Sequence, residues 1–188
     1  MDKLIAETKE YFINNIQQTE DKYGLLEHVP EVVKWVKKIR EYYPKSDLEV
    51  VLFGAWLHDV SHYLVNDGED HAVKSEEMSR EFLSGKIDKD TIDRVCHCVR
   101  SHRCKDVAPE TLEAKVLACA DSASHMSGII YMDMLSNGHR VATVDEKLER
   151  DYRDIFIFPE VKELLTPIYK LWKSMLLEYQ KLNLPKGE

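Results

Sequence analysis

The sequence predicts an all-α protein, on three observations. Apolar residues recur at the three- and four-residue spacing of amphipathic helices along most of the chain. Short polar breaks separate these segments. No segment keeps the alternation of apolar and polar residues that marks a half-buried strand, so we expect no significant sheet. A chain of 188 residues, 44% of them hydrophobic, is most simply one domain with a real core.

Three helices are predicted before the first long loop. The first ends before a break at 19–24, and the second begins near His28, with Pro30 in its first turn. Ser46 and Glu49 resemble a capping box that opens the third helix.

Three more helices follow in the middle of the chain. The fourth runs over about 71–83 and ends before Gly85. The fifth covers about 88–102, and the sixth about 110–121. A further loop is expected at 136–140.

The C-terminal part predicts two helices. A short charged helix covers about 145–153, and Thr166-Pro167 opens the last helix. One stripe of the last helix is apolar and must be buried, either on the chain's own core, which we favour, or in a homodimer. The stripe consists of Ile168, Leu171, Trp172, Met175 and Tyr179.

The charge balance limits the expected partners. Lys and Arg number 26 against 34 Asp and Glu, and the net charge of −8 argues against a nucleic-acid-binding protein. A small anionic substrate remains compatible, because a bound metal reverses the local field. The first ten residues lack the apolar segment of a signal peptide, and no apolar stretch is long enough to span a bilayer. We therefore expect a cytoplasmic protein with no membrane partner, and reduced thiols at its four cysteines.

The most informative feature is the pair His58-Asp59, which ends the apolar run 50–57. An unpaired carboxylate at the end of a hydrophobic helix is costly, so it requires a cation or strong hydrogen-bond donors. Histidine and aspartate side chains from other helices could join the pair in a mixed nitrogen and oxygen site for a divalent metal. The candidates are His28, His71, His97, His102 and Asp121.

Helix phase separates inward candidates from outward ones. At about 100° per residue, His102 shares the apolar face of Val95 and Val99, whereas His97 lies on the opposite side. His71 points inward from the first turn of its own helix. We therefore expect His71 and His102 in an internal site and His97 at the surface.

The remaining candidates are judged in the same way. His28 borders the valine face of the second helix, and Asp121 adjoins the apolar stripe of the sixth. His62 follows His58 by four residues, and a loop position is the favoured interpretation. Two histidines have no supporting pattern: His125 and His139.

Three segments resemble the HD superfamily of metal-dependent phosphohydrolases. They are LLEHVPEVVKW with His28, FGAWLHDVSH with the doublet, and VLACADSAS with Asp121. The resemblance extends over about 23–128, and HAVKSEEMSREFL and LEAKVLACADSASHMSGI are most similar to the small bacterial, pyrophosphohydrolase-like branch. That branch often has Asp-Ala-Asp where this chain has Cys119-Ala120-Asp121, so the first carboxylate is missing here.

The resemblance implies a single-domain helical bundle of the HD type over 1–188, with a central metal cleft. Its motif-bearing core would cover about 23–128, with the helices of 145–182 packed on it or at an interface. It also implies one or two divalent ions, with Mn, Mg, Co, Ni, Fe and Zn not distinguished. The implied metal ligands are His28, His58, Asp59 and Asp121. The implied catalytic residues are Asp59, His71 and His102.

Three activities fit this resemblance. The first is hydrolysis of a nucleotide or another small phosphorylated metabolite by a metal-activated water. The second is a di-iron HD-type oxygenase, and the third is a non-catalytic, metal-binding regulatory protein. His71 and His102 would hold a second metal bridged by Asp59, or would donate hydrogen bonds to phosphate.

Two sets of charged residues near the motifs have both functional and neutral interpretations. A loop after the doublet offers candidate general bases, although a solvated loop explains them equally. These are Asp67, Glu69 and Asp70. Basic residues that could meet substrate phosphates, or simply be exposed, are Lys74, Arg100, Arg103 and Lys105.

Overall fold

The computed structural model describes residues 2–65 and 69–183, and within these ranges the chain forms nine α-helices and no strand. The prediction of an all-α protein is therefore confirmed. The helices are α1 (Asp2–Ile16), α2 (Leu25–Tyr42), α3 (Leu48–Leu57), α4 (His71–Leu83), α5 (Lys89–Ser101), α6 (Leu112–Ser127), α7 (Ile130–Ser136), α8 (Val141–Asp154) and α9 (Pro159–Asn183), with a 3₁₀ turn at Ile155–Ile157. Among the helices described, none combines the length and the apolarity that a membrane crossing requires.

Helix α6 is the centre of the bundle, since it contacts α2, α3, α5, α7, α8 and α9. Alanine, serine and cysteine occupy half of its length, and these small side chains let the neighbouring helices approach closely. At Gly54 of α3, a Cβ atom would lie only 3.1 Å from the Leu117 side chain. Asp121, midway along α6, is consequently held in the interior of the molecule.

Helix α3 lies in the core and places the His-Asp doublet at its end. It is buried on nearly every face and stops at Leu57, so that His58 forms its C-terminal cap. The predicted position of the doublet is therefore correct. The predicted capping box is wrong: Asp47 is the N-cap, and the Ser46 hydroxyl donates to the Tyr43 carbonyl instead.

Helix α2 begins earlier than predicted. The Asp21 carboxylate accepts hydrogen bonds from the backbone N–H groups of Leu25 and Leu26, at 2.7 and 2.9 Å. These bonds satisfy donors at the start of the helix and fix its first turn. His28 therefore lies within the helix rather than at its start, and Pro30 lies inside it rather than in the first turn.

The C-terminal helices also differ from the sequence prediction. Helix α7 was not predicted, and α6 continues past Asp121. Helix α9 begins at Pro159 and runs through Pro167, where the sequence predicted a helix start. Val161 and Leu165 are 1% and 3% exposed, so burial of the preceding turns stabilises the helix before Pro167.

Helix α9 packs on α6 and α8. The Trp172 indole N–H donates to the Met126 carbonyl at 2.9 Å, and Leu176 is 2% exposed. Ile168 also contacts the main core. Leu171, in contrast, is 66% exposed and does not share the buried face that the sequence assigned to it.

Candidate metal centre

The residues predicted to form the site converge at one cleft of about 310 Å³, which Asp59, His71, His102 and Asp121 line. His28 and His58 contact these aspartates without lining the cleft themselves. The site residues come from five places in the bundle: the first turn of α2, the turn after α3, the start of α4, the end of α5 and the middle of α6. They are His28, His58, Asp59, His71, His102 and Asp121. The site therefore depends on the packing of five helices rather than on one local motif.

The first group of ligand atoms surrounds the doublet and Asp121. His28 Nε2 lies 3.1 Å from Asp121 Oδ1 and 3.9 Å from Asp59 Oδ2. His58 Nε2 lies 3.6 Å from Asp121 Oδ1 and 3.5 Å from Asp59 Oδ2. Two ligand atoms that each bind one ion at about 2.1 Å lie about 3 to 3.5 Å apart. These separations are compatible with a shared divalent ion.

A second group faces the other oxygen of Asp59. His71 Nε2 lies 3.0 Å from Asp59 Oδ1, and His102 Nε2 lies 3.7 Å from the same oxygen. His62 Nδ1 is 3.8 Å from it, although His62 belongs to the turn after α3, as the favoured loop interpretation expected. The two oxygens of Asp59 thus face two different sets of histidines, an arrangement that suits a bridging carboxylate.

Several polar atoms at the floor of the cleft have no hydrogen-bond partner among the residues that the structure describes. Burying an unsatisfied polar atom costs about 1 to 3 kcal/mol, so a cluster of them requires an explanation. A divalent cation bound by these atoms would remove that cost. The atoms are Nε2 of His28 and His58, Nδ1 of His62, and Oδ1 of Asp59 and Asp121. This observation shows that the residues present fit a metal.

The hydrogen bonds behind the rings orient three histidines for metal binding. The Nδ1 atoms of His58 and His102 lie 2.8 and 2.6 Å from backbone carbonyls of the preceding turn. Because a carbonyl can only accept, each Nδ1 carries a proton, which leaves Nε2 as the atom that would bind a metal. The Ser124 hydroxyl donates to the Asp121 carbonyl, so its oxygen accepts from His28 Nδ1 at 3.1 Å. Metal-binding histidines are typically held in this way.

The electrostatics of the site favour a cation. Although burial opposes ionisation, His58 and His71 hold the pKa of Asp59 well below its usual range. Burial opposes ionisation of Asp121 as well, but His125 and His28 keep its pKa low. Against the effect of burial, the two carboxylates raise the pKa of His58 to about 9. Both aspartates are therefore ionised at neutral pH, and their field attracts positive charge.

Basic side chains line the upper part of the cleft. Arg103, Lys105, Lys147 and Arg150 all reach it. Arg103 binds Asp70 at 2.5 Å, whereas neither Lys105 nor Arg150 forms an ion pair with any described residue. Burial, together with Arg103 and Arg150, lowers the pKa of Lys105, as expected for a cation among other cations. The rim therefore has uncompensated positive charge.

The other two basic candidates lie elsewhere. Lys74 pairs with Glu77 at 3.0 Å, and Arg100 pairs with Asp106. Neither lines the cleft. Lys74 is exposed, as the neutral interpretation expected, whereas the Arg100 side chain is only 18% exposed. Neither position supports a phosphate-binding role at this cleft.

The structure separates the carboxylates that the sequence offered as general bases. Asp67 lies outside the described residues. Asp70 is the N-cap of α4 and the partner of Arg103, so its carboxylate is already engaged. Asp154, which the sequence did not single out, lines the cleft, and burial raises its pKa to about 6. A carboxyl group with that pKa can exchange a proton near neutral pH.

Two predictions about histidines can be compared directly with the structure. His102 is 3% exposed and faces the cleft, as predicted. His97 is half-buried rather than exposed, but it points away from the cleft and accepts a hydrogen bond from the Glu110 N–H.

His125, for which the sequence offered no pattern, lies in the site. A prediction that continued the sixth helix past Asp121 would have placed His125 one turn later on the same face.

The cysteines do not join the site. Cys96, Cys98 and Cys119 are buried and reduced, and burial raises the pKa of Cys96 to about 11. No cysteine belongs to the groups of ligand atoms found within residues 2–65 and 69–183. A zinc-thiolate site is therefore not formed there.

Comparison with known proteins agrees with the resemblance of the motifs. A curated relative, the tRNA (cytidine(56)-2'-O)-methyltransferase of Picrophilus torridus, is 28% identical over 152 residues, which cover 70% of this chain and 42% of the relative. The chain therefore spans less than half the length of that relative. No solved structure matches the chain significantly. The family model described as HD domain matches residues 25–126, more than half of the chain, and the chain therefore belongs to the HD domain family.

Proposed function

We propose that this protein is a metal-dependent phosphohydrolase acting on a nucleotide or another small phosphorylated metabolite. One observation carries the proposal: unsatisfied histidine and aspartate atoms meet at the floor of a cleft whose rim has uncompensated positive charge. The floor suits a divalent cation, and the rim suits an anionic substrate. Members of the HD domain family are commonly metal-dependent hydrolases, which supports the same conclusion.

The residues of the chain divide the work of hydrolysis. His28, His58, Asp59 and Asp121 would hold the metal. When bound, a divalent metal lowers the pKa of a water molecule and neutralises charge on a phosphoryl group. The water oxygen would add to phosphorus while the bond from phosphorus to the leaving oxygen breaks.

The walls of the cleft would bind the rest of the substrate. Lys105 and Arg150 are free to contact phosphate oxygens, since no carboxylate engages them in the described chain. Tyr23, Ile130 and Met134 also line the cleft and offer apolar surface to an uncharged part of the substrate. This combination is the basis for proposing a small organic phosphate rather than a wholly inorganic polyphosphate.

The activity named for the curated relative does not carry over to this proposal. That relative is a tRNA methyltransferase, but the match covers only 42% of its length. The net charge of −8 also disfavours broad contact with RNA. We therefore propose that this chain has no nucleic-acid partner.

A di-iron oxygenase is the second candidate, because one observation favours it. Asp59 faces two groups of histidines through its two oxygens, and His71 and His102 would complete a second ion site. Metal analysis of protein purified without added metal separates the two activities. Two irons per chain would support the oxygenase, and a different divalent metal or a single ion per chain would support the hydrolase.

The direct test is phosphate release from a broad panel of phosphate esters, with several divalent metals supplied to metal-free protein. The proposal expects release that depends on the metal for at least one small ester. If no ester is hydrolysed with any metal although metal is bound, the non-catalytic regulatory protein becomes the better account.

A further inference from the structure

His125 contacts the metal centre but belongs to neither the HD doublet nor its predicted partners. It is 7% exposed, and its ring stacks on that of His28 with centroids 4.7 Å apart and planes 9° apart. Its Nε2 atom lies 3.4 Å from Oδ1 of Asp121. By distance alone, His28, Asp121 and His125 could hold an ion together. The atoms behind the ring indicate which role His125 takes.

The group behind His125 differs from the group behind the other histidines. Lys147 Nζ lies 3.0 Å from His125 Nδ1, in hydrogen-bond geometry. An ammonium group can only donate, so Nδ1 must accept and the ring proton must be on Nε2. His28 and His102 have the opposite tautomer, because each donates from Nδ1 to an oxygen. An Nε2 atom that carries a proton cannot bind a metal.

Asp151 is the competing partner for the same nitrogen. Its Oδ2 atom lies 3.3 Å from His125 Nδ1, a distance at which a protonated Nδ1 could donate. That contact is longer than the one from Lys147, and Tyr131 already donates to the same oxygen at 2.6 Å. Lys147 is also within 3.3 Å of Asp151 Oδ1. The buried Asp151 therefore anchors Lys147, and Lys147 sets the tautomer of His125.

We infer that His125 is a positioning residue whose Nε2–H, set by Lys147 and fixed by Asp151, would donate to the carboxylate of Asp121 when an ion is bound. In this structure His125 Nε2 and Asp121 Oδ1 lie 3.4 Å apart and form no hydrogen bond. Ligating carboxylates are commonly oriented by hydrogen bonds of this kind, and their loss lowers metal affinity by about 10- to 100-fold. The inference rests on the proposed metal site. It adds that Asp121 is oriented by a residue outside the HD motif and that His125 does not bind the ion.

The ring tautomer of His125 is the first test, and it needs no metal. Long-range ¹H–¹⁵N spectra of the metal-free full chain report the protonated nitrogen of each histidine. We expect the Nε2–H form for His125 and the Nδ1–H form for His28 and His102. Lys147→Met should convert His125 to the Nδ1–H form, donating to Asp151. A wild-type His125 in the Nδ1–H form would overturn the inference even if hydrolysis were confirmed.

Conservative substitutions provide the second test, with Mn²⁺ affinity measured by equilibrium titration. Glutamine places an amide N–H near the position of Nε2, so His125→Gln should keep affinity within about threefold. His125→Ala should lower it by about 10- to 100-fold. His139→Ala is the matched control, because His139 lines the cleft but belongs to none of the described ligand groups. Equal losses in the glutamine and alanine variants would contradict donation from Nε2, and no loss in the alanine variant would show that His125 has no role. Absence of Mn²⁺ binding in the wild type would instead count against the proposed function.

Discussion

His28 Nε2 and Asp121 Oδ1 lie 3.1 Å apart in the interior, yet neither atom has a hydrogen-bond partner within the described chain. The two residues come from α2 and α6, which pack directly against each other. The proton of His28 is on the other side of the ring, where Ser124 accepts it. Two acceptor atoms held this close are explained by a cation that both would bind.

This relationship predicts a role for Ser124. Ser124→Ala removes the oxygen that keeps the proton of His28 on Nδ1, and should lower metal affinity by about 10- to 100-fold. Titration of the metal-free protein with Mn²⁺ measures the effect. Ser174→Ala, at an exposed position on α9, is the control and should have no effect. Unchanged affinity in Ser124→Ala would mean that the tautomer of His28 does not depend on this bond.

A second prediction distinguishes the two histidines of α5 and its C-terminus. His102 is buried against the ligand cluster, whereas His97 faces Glu110 and lies away from the cleft. His102→Ala should lower kcat/KM by at least about 100-fold, and His97→Ala should change it by less than about twofold. Steady-state kinetics on the substrate found in the ester panel gives both values. A larger loss of kcat/KM in His97→Ala than in His102→Ala would place the site on the other face of the helix.

The cationic rim leads to a third prediction. Arg150→Ala should raise KM by about 10- to 150-fold, because a hydrogen bond to a charged group contributes about 1.5 to 3 kcal/mol. Metal content should stay the same, since a guanidinium group offers no lone pair to a metal. Lys74→Ala is the control, because Lys74 pairs with Glu77 outside the cleft. A loss of metal in Arg150→Ala, or an equal change in the control, would refute the substrate-binding role.

A fourth prediction concerns the packing of α9. Leu176 is 2% exposed and Leu171 is 66% exposed on the same helix. Leu176→Ala should therefore lower the free energy of unfolding by about 2 to 5 kcal/mol, and Leu171→Ala by less than about 0.5 kcal/mol. Urea unfolding measures both. Similar values for the two variants would show that α9 does not use the face described here. A Leu171→Ala variant that alters oligomeric state would indicate that its exposed leucine forms a dimer contact.

The fold and most of the site could be predicted from the sequence because they depend on local patterns. The apolar run before His58 could end only in the core, so the doublet was expected at a buried helix end. The phase of α5 placed His102 inward from its spacing to Val99 alone. These inferences needed no knowledge of which helices pack together.

The missed features depend on tertiary contacts. His125 became visible only when α6 was found to continue past Asp121, and its role depends on Lys147, which lies on another helix. Asp154 acquires its raised pKa from burial in the assembled cleft. Pro167 indicated a helix start by local rules, but packing of the preceding turn extends α9 across it. No local pattern encodes such contacts.

The metal content of Asp59→Ala and Asp121→Ala, compared with wild type after dialysis against one divalent metal, tests the central claim most directly. Both aspartates are nearly buried, and each offers an oxygen with no hydrogen-bond partner among the described residues. We expect at least one ion per chain in the wild type, and loss of both the ion and the metal-stimulated phosphate release in each variant. Asp106→Ala, an exposed position, should retain both. Full metal occupancy in the two aspartate variants would contradict the assignment of this cluster as the metal centre.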